Sequence, residues 1–219
     1  MPRESKADRK KRTAKIIAAL KKTYPDAKTE LNWKTPLDLL VATILSAQNT
    51  DVQVNKVTAS LFGKYRTAED YAGASIEQVQ KDIQGIGLWR NKSKSLVNAA
   101  KMLVERFAGE VPDTMEDLTR LPGVARKTAN VVLGNAFGKK EGIVVDTHVQ
   151  RVARRLRLTT RENNQGDKTE KELTELVPRK EWCLFAHLLI FHGRRCCAAR
   201  KPHCADCPIS DRCPSAFKV

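Results

Sequence analysis

The 219-residue sequence lacks an apolar run long enough to cross a membrane. Its longest run, residues 182–191, contains His187 and has about half the length of a membrane span. No secretory signal is visible either, because the apolar stretch 16–20 behind the basic N-terminus is too short. These absences argue against a membrane or secreted protein, and we expect a soluble, cytoplasmic protein with no membrane partner.

Acidic residues are scarce relative to basic ones. The chain has 25 Asp and Glu against 40 Lys and Arg, and its net charge is +15 at pH 7. Residues 1–28 carry ten basic and three acidic side chains, residues 179–219 carry eight and three, and the segment between them is nearly balanced. A polyanion is the expected partner, and nucleic acid is the commonest one. The alternative is that the charge serves solubility alone.

Six cysteines in a reducing compartment indicate metal ligands rather than disulfides. Four of them have the spacing C-x6-C-x2-C-x5-C, and these are Cys197, Cys204, Cys207 and Cys213. Zinc sites usually use two close pairs on a longer arm, so this spacing favours a four-cysteine iron–sulfur cluster, with zinc as the alternative. Cys196 can compete with Cys197 for the first position, and Cys183 is interpreted as a small buried apolar residue.

Apolar residues recur at helical spacing along most of the chain, and no convincing run of strands is present. The sequence therefore predicts an all-α fold. Residues 1–12 are expected to be disordered or frayed, and residues 160–168 to form a polar loop. The expected helices cover 13–23, 51–63, 76–83, 89–107, 168–176 and 180–191, with others that begin near Pro36, Pro112, Arg126 and Asp146. Ser75 and Gln78 form a capping-box pattern for the helix over 76–83, and Val104 is expected on the core face of the helix over 89–107.

The stretch LPGVARKTAN, residues 121–130, joins two of these helices by a tight turn. Pro122 and Gly123 end the first helix, and an amphipathic helix begins at Arg126. The small residues of the turn leave backbone N–H groups at a helix N-terminus, where an anion such as a DNA phosphate is favoured. An ordinary joint between two helices is the alternative.

Three motifs occur together and in order: LPGVARKTAN, the VDTH of residues 145–148, and the four-cysteine loop. This combination resembles the endonuclease III family of DNA glycosylases, in the helix–hairpin–helix superfamily. SAQNTD, residues 46–51, also resembles that family's SAQ-x-TD stretch. The resemblance extends from about Thr13 to Cys213, which is nearly the whole chain.

The resemblance implies two α-helical domains with a DNA cleft between them. One is a six-helix domain over residues 29–139, which contains the hairpin. The other combines residues 1–28 with residues 140–219 and carries a [4Fe–4S] cluster. Both basic ends of the chain belong to this second domain, so the charge distribution agrees with a DNA partner.

The resemblance also implies the chemistry. Lys127 corresponds to the catalytic lysine, whose neutral amine would attack C1′ of a damaged nucleotide and expel the base, leaving a Schiff base. Proton loss at C2′ then cuts the strand by β-elimination. A free lysine amine is protonated near neutral pH, so the site must favour the neutral form. Outside this resemblance, Lys127 is an ordinary solvated residue of a helix.

Asp146 corresponds to the family's essential aspartate. It would help to deprotonate the amine or stabilise positive charge that builds on the sugar. The alternative is that Asp146 is only a helix N-cap. Thr147 and Gln150 offer a second possible cap, a T-x-x-Q capping box, which would leave Asp146 available for catalysis.

The target base must leave the duplex before it can react. By resemblance, Gln48 fills the gap that the extruded base leaves in the duplex from one side, and Leu88 fills it from the other. An exposed leucine beside a glycine suits insertion between base pairs. The alternative is that Leu88 is buried in the core. Ala125 departs from the glycine that is common in the family's hairpin, and its methyl group is expected to shift or weaken the phosphate contact. Further residues expected at the DNA are Leu121, Gly123, Val124, Ala125, Arg194, Arg200 and Lys201, and those expected in the pocket are Asp51 and His148.

The leading hypothesis is a monomeric, bifunctional DNA glycosylase and AP lyase acting on oxidised pyrimidines or abasic sites in duplex DNA. A second hypothesis is an adenine-mismatch glycosylase, a group that lacks the lysine at 127 and carries a further C-terminal domain. The presence of Lys127 and the short stretch after Cys213 argue against it. A glycosylase with weak lyase activity and a non-catalytic DNA-binding module with a structural metal are also compatible with these motifs.

Overall fold

The computed structural model describes residues 4–161 and 165–218. It divides into a central unit, Glu30–Glu141, and a terminal unit, which consists of the described residues of Met1–Thr29 and Gly142–Val219. The regular structure in these ranges is helical throughout, which confirms the all-α prediction. The described α-helices are α1 (Lys6–Thr23), α2 (Pro36–Ser46), α3 (Asp51–Lys64), α4 (Ala68–Gly73), α5 (Ile76–Asp82), α6 (Trp89–Phe107), α7 (Met115–Arg120), α8 (Arg126–Ala136), α9 (Thr147–Arg155), α10 (Gly166–Leu176) and α11 (Trp182–Arg195).

Helix α2 lies at the centre of the central unit's core. Its residues 38–45 are all buried, and it packs against α3, α6 and α8. A capping box of Thr35 and Asp38 starts the helix, with Pro36 in its first turn. Each fully buried leucine or isoleucine contributes about 1.5–3 kcal/mol, so this one helix fixes the positions of three others.

The central unit departs from the expected helices in two places. Residues 30–141 are all described and form seven helices, because α4 was not predicted. Thr67 and Asp70 cap it with a T-x-x-D pattern that the sequence already contained. Val104 was expected on the core face of α6 but is exposed, whereas Val97 and Ala99 are buried.

In the terminal unit, α11 packs against α9 and α1, and α1 also packs against α10. The first helix begins at Lys6, so the expectation that residues 1–12 are disordered is wrong for Lys6 onward. Ser5 caps the helix by accepting a hydrogen bond from the Asp8 N–H, 3.1 Å away. Arg12 then ties the helix to the unit by donating to the carbonyl oxygens of Leu156 and Arg212.

Helix α10 begins at Gly166, so the polar loop predicted over residues 160–168 is shorter than expected. Residues 162–164 of that loop lie outside the described residues. Among the described helices, none is both long and apolar enough to cross a membrane.

Candidate functional site

The hairpin of the central unit lies between α7 and α8. The Val124 N–H donates to the Leu121 carbonyl at 3.0 Å, and both side chains are buried in the unit's core. Gly123 has a φ of 81°, and a Cβ at this position would lie 2.7 Å from the Cβ of Ser95. Glycine is therefore required here by both conformation and space. Because Leu121 and Val124 bury their side chains, the turn presents to a ligand its main chain and only small side chains such as that of Ala125.

Lys127 is the second residue of α8, and its side chain is exposed. Ala125 precedes the helix and provides no side-chain cap for the first N–H groups of α8. Its φ of −89° is one that any residue adopts, so alanine at this position imposes no backbone strain. The departure from glycine therefore leaves the hairpin conformation intact.

Two turns of the central unit carry the residues expected to enter the duplex. Gln48 follows α2 and Leu88 precedes α6, and both have left-handed backbones, with φ of 59° and 60°. Such a conformation costs roughly 1–2 kcal/mol for a residue other than glycine. Leu88 is 55% exposed, so the alternative that it belongs to the core is wrong. Asp51 is half-buried in the first turn of α3, next to the Gln48 turn.

We expect Leu88→Gly to abolish the wedge without destabilising the fold. Glycine adopts φ of 60° freely, which offsets the burial lost with a half-exposed leucine, so the free energy of unfolding should stay within about 1 kcal/mol of the wild type. Denaturant unfolding measures this, and base excision measured in parallel should fall. Ile86→Ala, in the same turn but fully buried, should instead cost about 2–5 kcal/mol. Equal destabilisation by both changes would contradict the assignment.

In the terminal unit, Asp146 is the N-cap of α9. Its Oδ1 accepts a hydrogen bond from the Val149 N–H at 2.7 Å. Of the two caps that the sequence left open, the Asp146 cap is the one that forms, because Gln150 is buried and donates to the Arg161 carbonyl instead. The helix starts one residue earlier than the Thr147 cap requires. Asp146 therefore has a structural task in addition to any catalytic one.

His148 and His187 both lie close to this helix start. The Nδ1 of His148 is 3.1 Å from Nη2 of Arg151, which also donates to the Gly193 carbonyl at 2.8 Å. Burial lowers the pKa of His187, and the nearby Asp146 carboxylate offsets this only in part. His187 was not singled out from the sequence. Its Nε2 lies 3.7 Å from the Sγ of Cys183. Cys183 is half-buried, whereas the sequence predicted a buried apolar residue.

The cysteine loop of the terminal unit lines a small cavity. The four predicted ligands line this cavity, and so does Cys196. The predicted ligands are Cys197, Cys204, Cys207 and Cys213. Burial raises the pKa of the Cys207 and Cys213 thiols, so their thiolates need a compensating positive charge such as bound metal supplies. The loop is thus a metal-capable site.

A compact group of potential metal donors lies against the same loop. Within the described residues, three donors whose ligand atoms fall within 4.8 Å of one another are His192, Cys196 and Cys207. This group contains one of the four predicted ligands, Cys207, and His192 was not predicted as a partner for it. The cysteine-rich end of the terminal unit is thus metal-capable and compatible with an iron–sulfur centre.

Two arginines of α9 hold the cysteine loop in place, and sequence reasoning missed both. Arg155 donates to Cys197 Sγ at 3.2 Å and to the Ala198 carbonyl at 2.6 Å. Arg151 donates to the Cys197 carbonyl at 3.2 Å. Their spacing of four residues places both on one helix face, which is the signal the sequence offered. Arg194, Arg200 and Lys201 are exposed around this loop, as a phosphate-binding role requires.

We expect Cys204→Ala to remove the metal centre. Loss of one of the four thiolate ligands leaves the metal centre with an incomplete set of ligands. The purified protein should therefore lose most of its iron and its visible absorbance. Cys183→Ala is the matched control, because Cys183 is half-buried in the same unit but does not line the cavity. Elemental analysis of both variants makes the measurement. One zinc atom per chain in the wild type would contradict the iron–sulfur assignment.

Comparisons with known proteins agree with this arrangement. A family model described as "HhH-GPD superfamily base excision DNA repair protein" matches residues 41–179. The chain is 48% identical to endonuclease III of Synechocystis sp. over 96% of this chain and 95% of that protein. It is also similar to two solved structures, a non-covalent endonuclease III–DNA complex and a trapped endonuclease III–DNA covalent intermediate. Each has a TM-score of 0.88, 43% identity, and coverage of 94% of this chain and 96% of the other.

Proposed function

This chain belongs to the endonuclease III family of the HhH-GPD superfamily of base excision DNA repair proteins, and we propose that it is a bifunctional DNA glycosylase and AP lyase. It removes oxidised pyrimidines from duplex DNA and then cuts the strand at the abasic site. One observation carries this proposal: an exposed lysine, Lys127, stands in the first turn of α8 directly behind the hairpin, in a chain that matches a covalent enzyme–DNA intermediate over nearly its whole length.

The central unit supplies the grip on the duplex. The hairpin binds a backbone phosphate through its main-chain N–H groups, because Leu121 and Val124 have their side chains in the core. Gln48 and Leu88 enter the stack where the damaged nucleotide leaves it, and both are exposed. We assign the central unit to the six-helix domain that the resemblance implies.

The neutral amine of Lys127 attacks C1′ of the extruded nucleotide, and the bond from C1′ to the base breaks. The base departs with a proton, the amine loses a proton, and the sugar ring opens to a Schiff base. Removal of a proton from C2′ then breaks the C3′–O bond and cuts the strand, and water releases the enzyme. Asp146 stabilises the positive charge that builds on the sugar during the first step.

Cys197, Cys204, Cys207 and Cys213 would hold a [4Fe–4S] cluster, whose positive core would offset part of the charge of the four thiolates. Arg155 contributes a charge-assisted hydrogen bond to Cys197 and fixes the loop against α9. The exposed Arg200 and Lys201 in this loop add contacts to the DNA backbone. The terminal unit thereby serves as the family's iron–sulfur domain, in a protein that acts as a monomer.

The test is to assay base release and strand cutting separately on duplexes with one defined lesion each. Duplexes with an oxidised pyrimidine, an adenine mismatch and an abasic site form the panel, and borohydride is added to trap a covalent adduct. We expect release, cutting and trapping on the oxidised pyrimidine. Release without trapping would identify a glycosylase with weak lyase activity, and binding without either reaction would identify a non-catalytic module.

A further inference from the structure

The turn that carries Gln48 and the turn that carries Leu88 are joined by one side-chain amide, that of Asn49. Its Oδ1 accepts a hydrogen bond from the Gly87 N–H at 2.8 Å. Its Nδ2 donates to the carbonyl oxygens of Leu45 at 3.0 Å and Ala47 at 2.9 Å. A single side chain thus makes hydrogen bonds to backbone groups of both turns, although Asn49 and Gly87 are 38 residues apart along the chain.

Two further side chains strengthen this junction. Lys92 is buried, and its ammonium group donates to the same carbonyl oxygens of Leu45 and Ala47, at 2.8 and 2.6 Å. Gln53 donates to the Gly85 carbonyl at 2.9 Å. The end of α2 and the start of α6 are therefore connected by charged and neutral hydrogen bonds, in addition to the packing of the two helices.

The hydrogen bond between Asn49 and Gly87 lies next to the two residues whose backbone is strained. Gln48 is adjacent to Asn49, Leu88 is adjacent to Gly87, and both have left-handed φ values. Such conformations persist in residues other than glycine only where the surroundings hold them. Both side chains are exposed, so packing does not hold them, and the bond between Asn49 and Gly87 lies immediately beside each one.

The approach of the two turns is also close. A Cβ added at Gly87 would lie 3.2 Å from Oδ1 of Asn49, which is tighter than an ordinary contact. Glycine at 87 and an amide at 49 thus fit one another. A change at Gly87 would displace this bond while leaving the bonds from Asn49 to the end of α2 in place.

We propose that Asn49 is a positioning residue that fixes Gln48 and Leu88 relative to each other, so that they enter the duplex as one rigid wedge. The inference rests on the function proposed above and adds a residue to it. Extrusion of a nucleotide is faster when the side chains that replace it are already in place, because no ordering of the two turns is then needed during the step. Asn49 itself does not touch the reacting atoms.

A merely structural role for Asn49 predicts a different outcome, and Asn55 provides the matched control. Asn55 lies on α3 and, like Asn49, bridges distant main chain, accepting from the Asn32 N–H at 2.8 Å and donating to the Glu30 carbonyl at 2.8 Å. Neither of those partners belongs to the two turns. Asn49→Ala and Asn55→Ala therefore remove similar hydrogen bonds. Only Asn49→Ala allows Gln48 and Leu88 to move relative to each other.

The experiment uses the full-length protein with its metal centre and a duplex that carries one oxidised pyrimidine, with a fluorescent adenine analogue beside it to report unstacking. Asn49→Ala should slow single-turnover base excision and unstacking by about 10- to 100-fold, because misplacement by about 1 Å costs as much. Affinity for undamaged duplex should change less than about twofold, since phosphate contacts supply that binding. Asn55→Ala should leave both rates near those of the wild type, and Gly87→Ala should reproduce the slowing in milder form.

A double-mutant cycle gives the decisive readout. In the wild type, the combined effect of Gln48→Ala and Leu88→Ala on the unstacking rate should differ from the product of their separate effects. In the Asn49→Ala background, the combined effect should equal that product. Coupling that persists without Asn49, or equal behaviour of Asn49→Ala and Asn55→Ala, would overturn the positioning role. A wild-type protein that neither excises nor unstacks any lesion would instead overturn the proposed function itself.

Discussion

Lys127→Ala is expected to eliminate covalent trapping and to reduce strand cutting on the order of 10⁴-fold or more, the scale typical of removing a covalent nucleophile. No water molecule can replace the amine in the lyase step, because the Schiff base itself makes C2′ acidic enough to lose its proton. Lys127 is exposed, so the free energy of unfolding should change by less than about 0.5 kcal/mol. Borohydride trapping and single-turnover cutting of an abasic duplex make the measurement.

Lys101→Ala is the control for this prediction, since Lys101 is another exposed lysine of the central unit, on α6. It should trap and cut like the wild type. Adduct formation at full strength in Lys127→Ala would assign the nucleophile to another amine. Base release that survives in Lys127→Ala while cutting disappears would show that water can serve as nucleophile for the first step only.

The elements that the sequence predicted well are those whose signals are local. The capping box of Ser75 and Gln78 starts α5 as expected, and Gly123 adopts the positive φ that its turn requires. Apolar residues at helical spacing after Pro36 predicted a helix there, and the structure forms α2 with its residues 38–45 buried. In each case a few neighbouring residues determine the backbone, so a linear pattern is sufficient.

The predictions that were open or wrong fall where two local patterns compete or where a distant partner decides. Asp146 and Thr147 both have plausible capping patterns, and only the position at which α9 starts selects between them. The charged residues after Ser5 suggested disorder, yet Arg12 binds carbonyl groups of Leu156 and Arg212 that lie far along the chain. Composition alone does not contain that information.

The candidate site divides in the same way. Motif resemblance singled out Lys127, and spacing singled out the four cysteines, because these residue types carry the chemistry. The supporting residues Lys92 and Asn49 were not identifiable, because they make ordinary hydrogen bonds to backbone groups of other segments. Such supporting residues have no chemical signature, and only tertiary structure brings their partners together.

Asp146→Asn is expected to separate the two tasks of this carboxylate. Asparagine presents the same Oδ1 to the Val149 N–H, so α9 keeps its cap and the free energy of unfolding should stay within about 0.5 kcal/mol of the wild type. The negative charge is lost, and single-turnover base excision should fall by about 10²- to 10⁴-fold. Thermal unfolding and excision kinetics of the same preparation make the comparison.

Asp146→Ala differs from Asp146→Asn because it removes both the charge and the cap. It should lose as much activity as Asp146→Asn and in addition lose about 1 kcal/mol of stability. Asp26→Asn, a change at an exposed aspartate of the same unit, controls for the general loss of one negative charge and should alter neither quantity. Wild-type excision by Asp146→Asn, combined with destabilisation by Asp146→Ala, would mean that this carboxylate caps α9 and has no part in the chemistry.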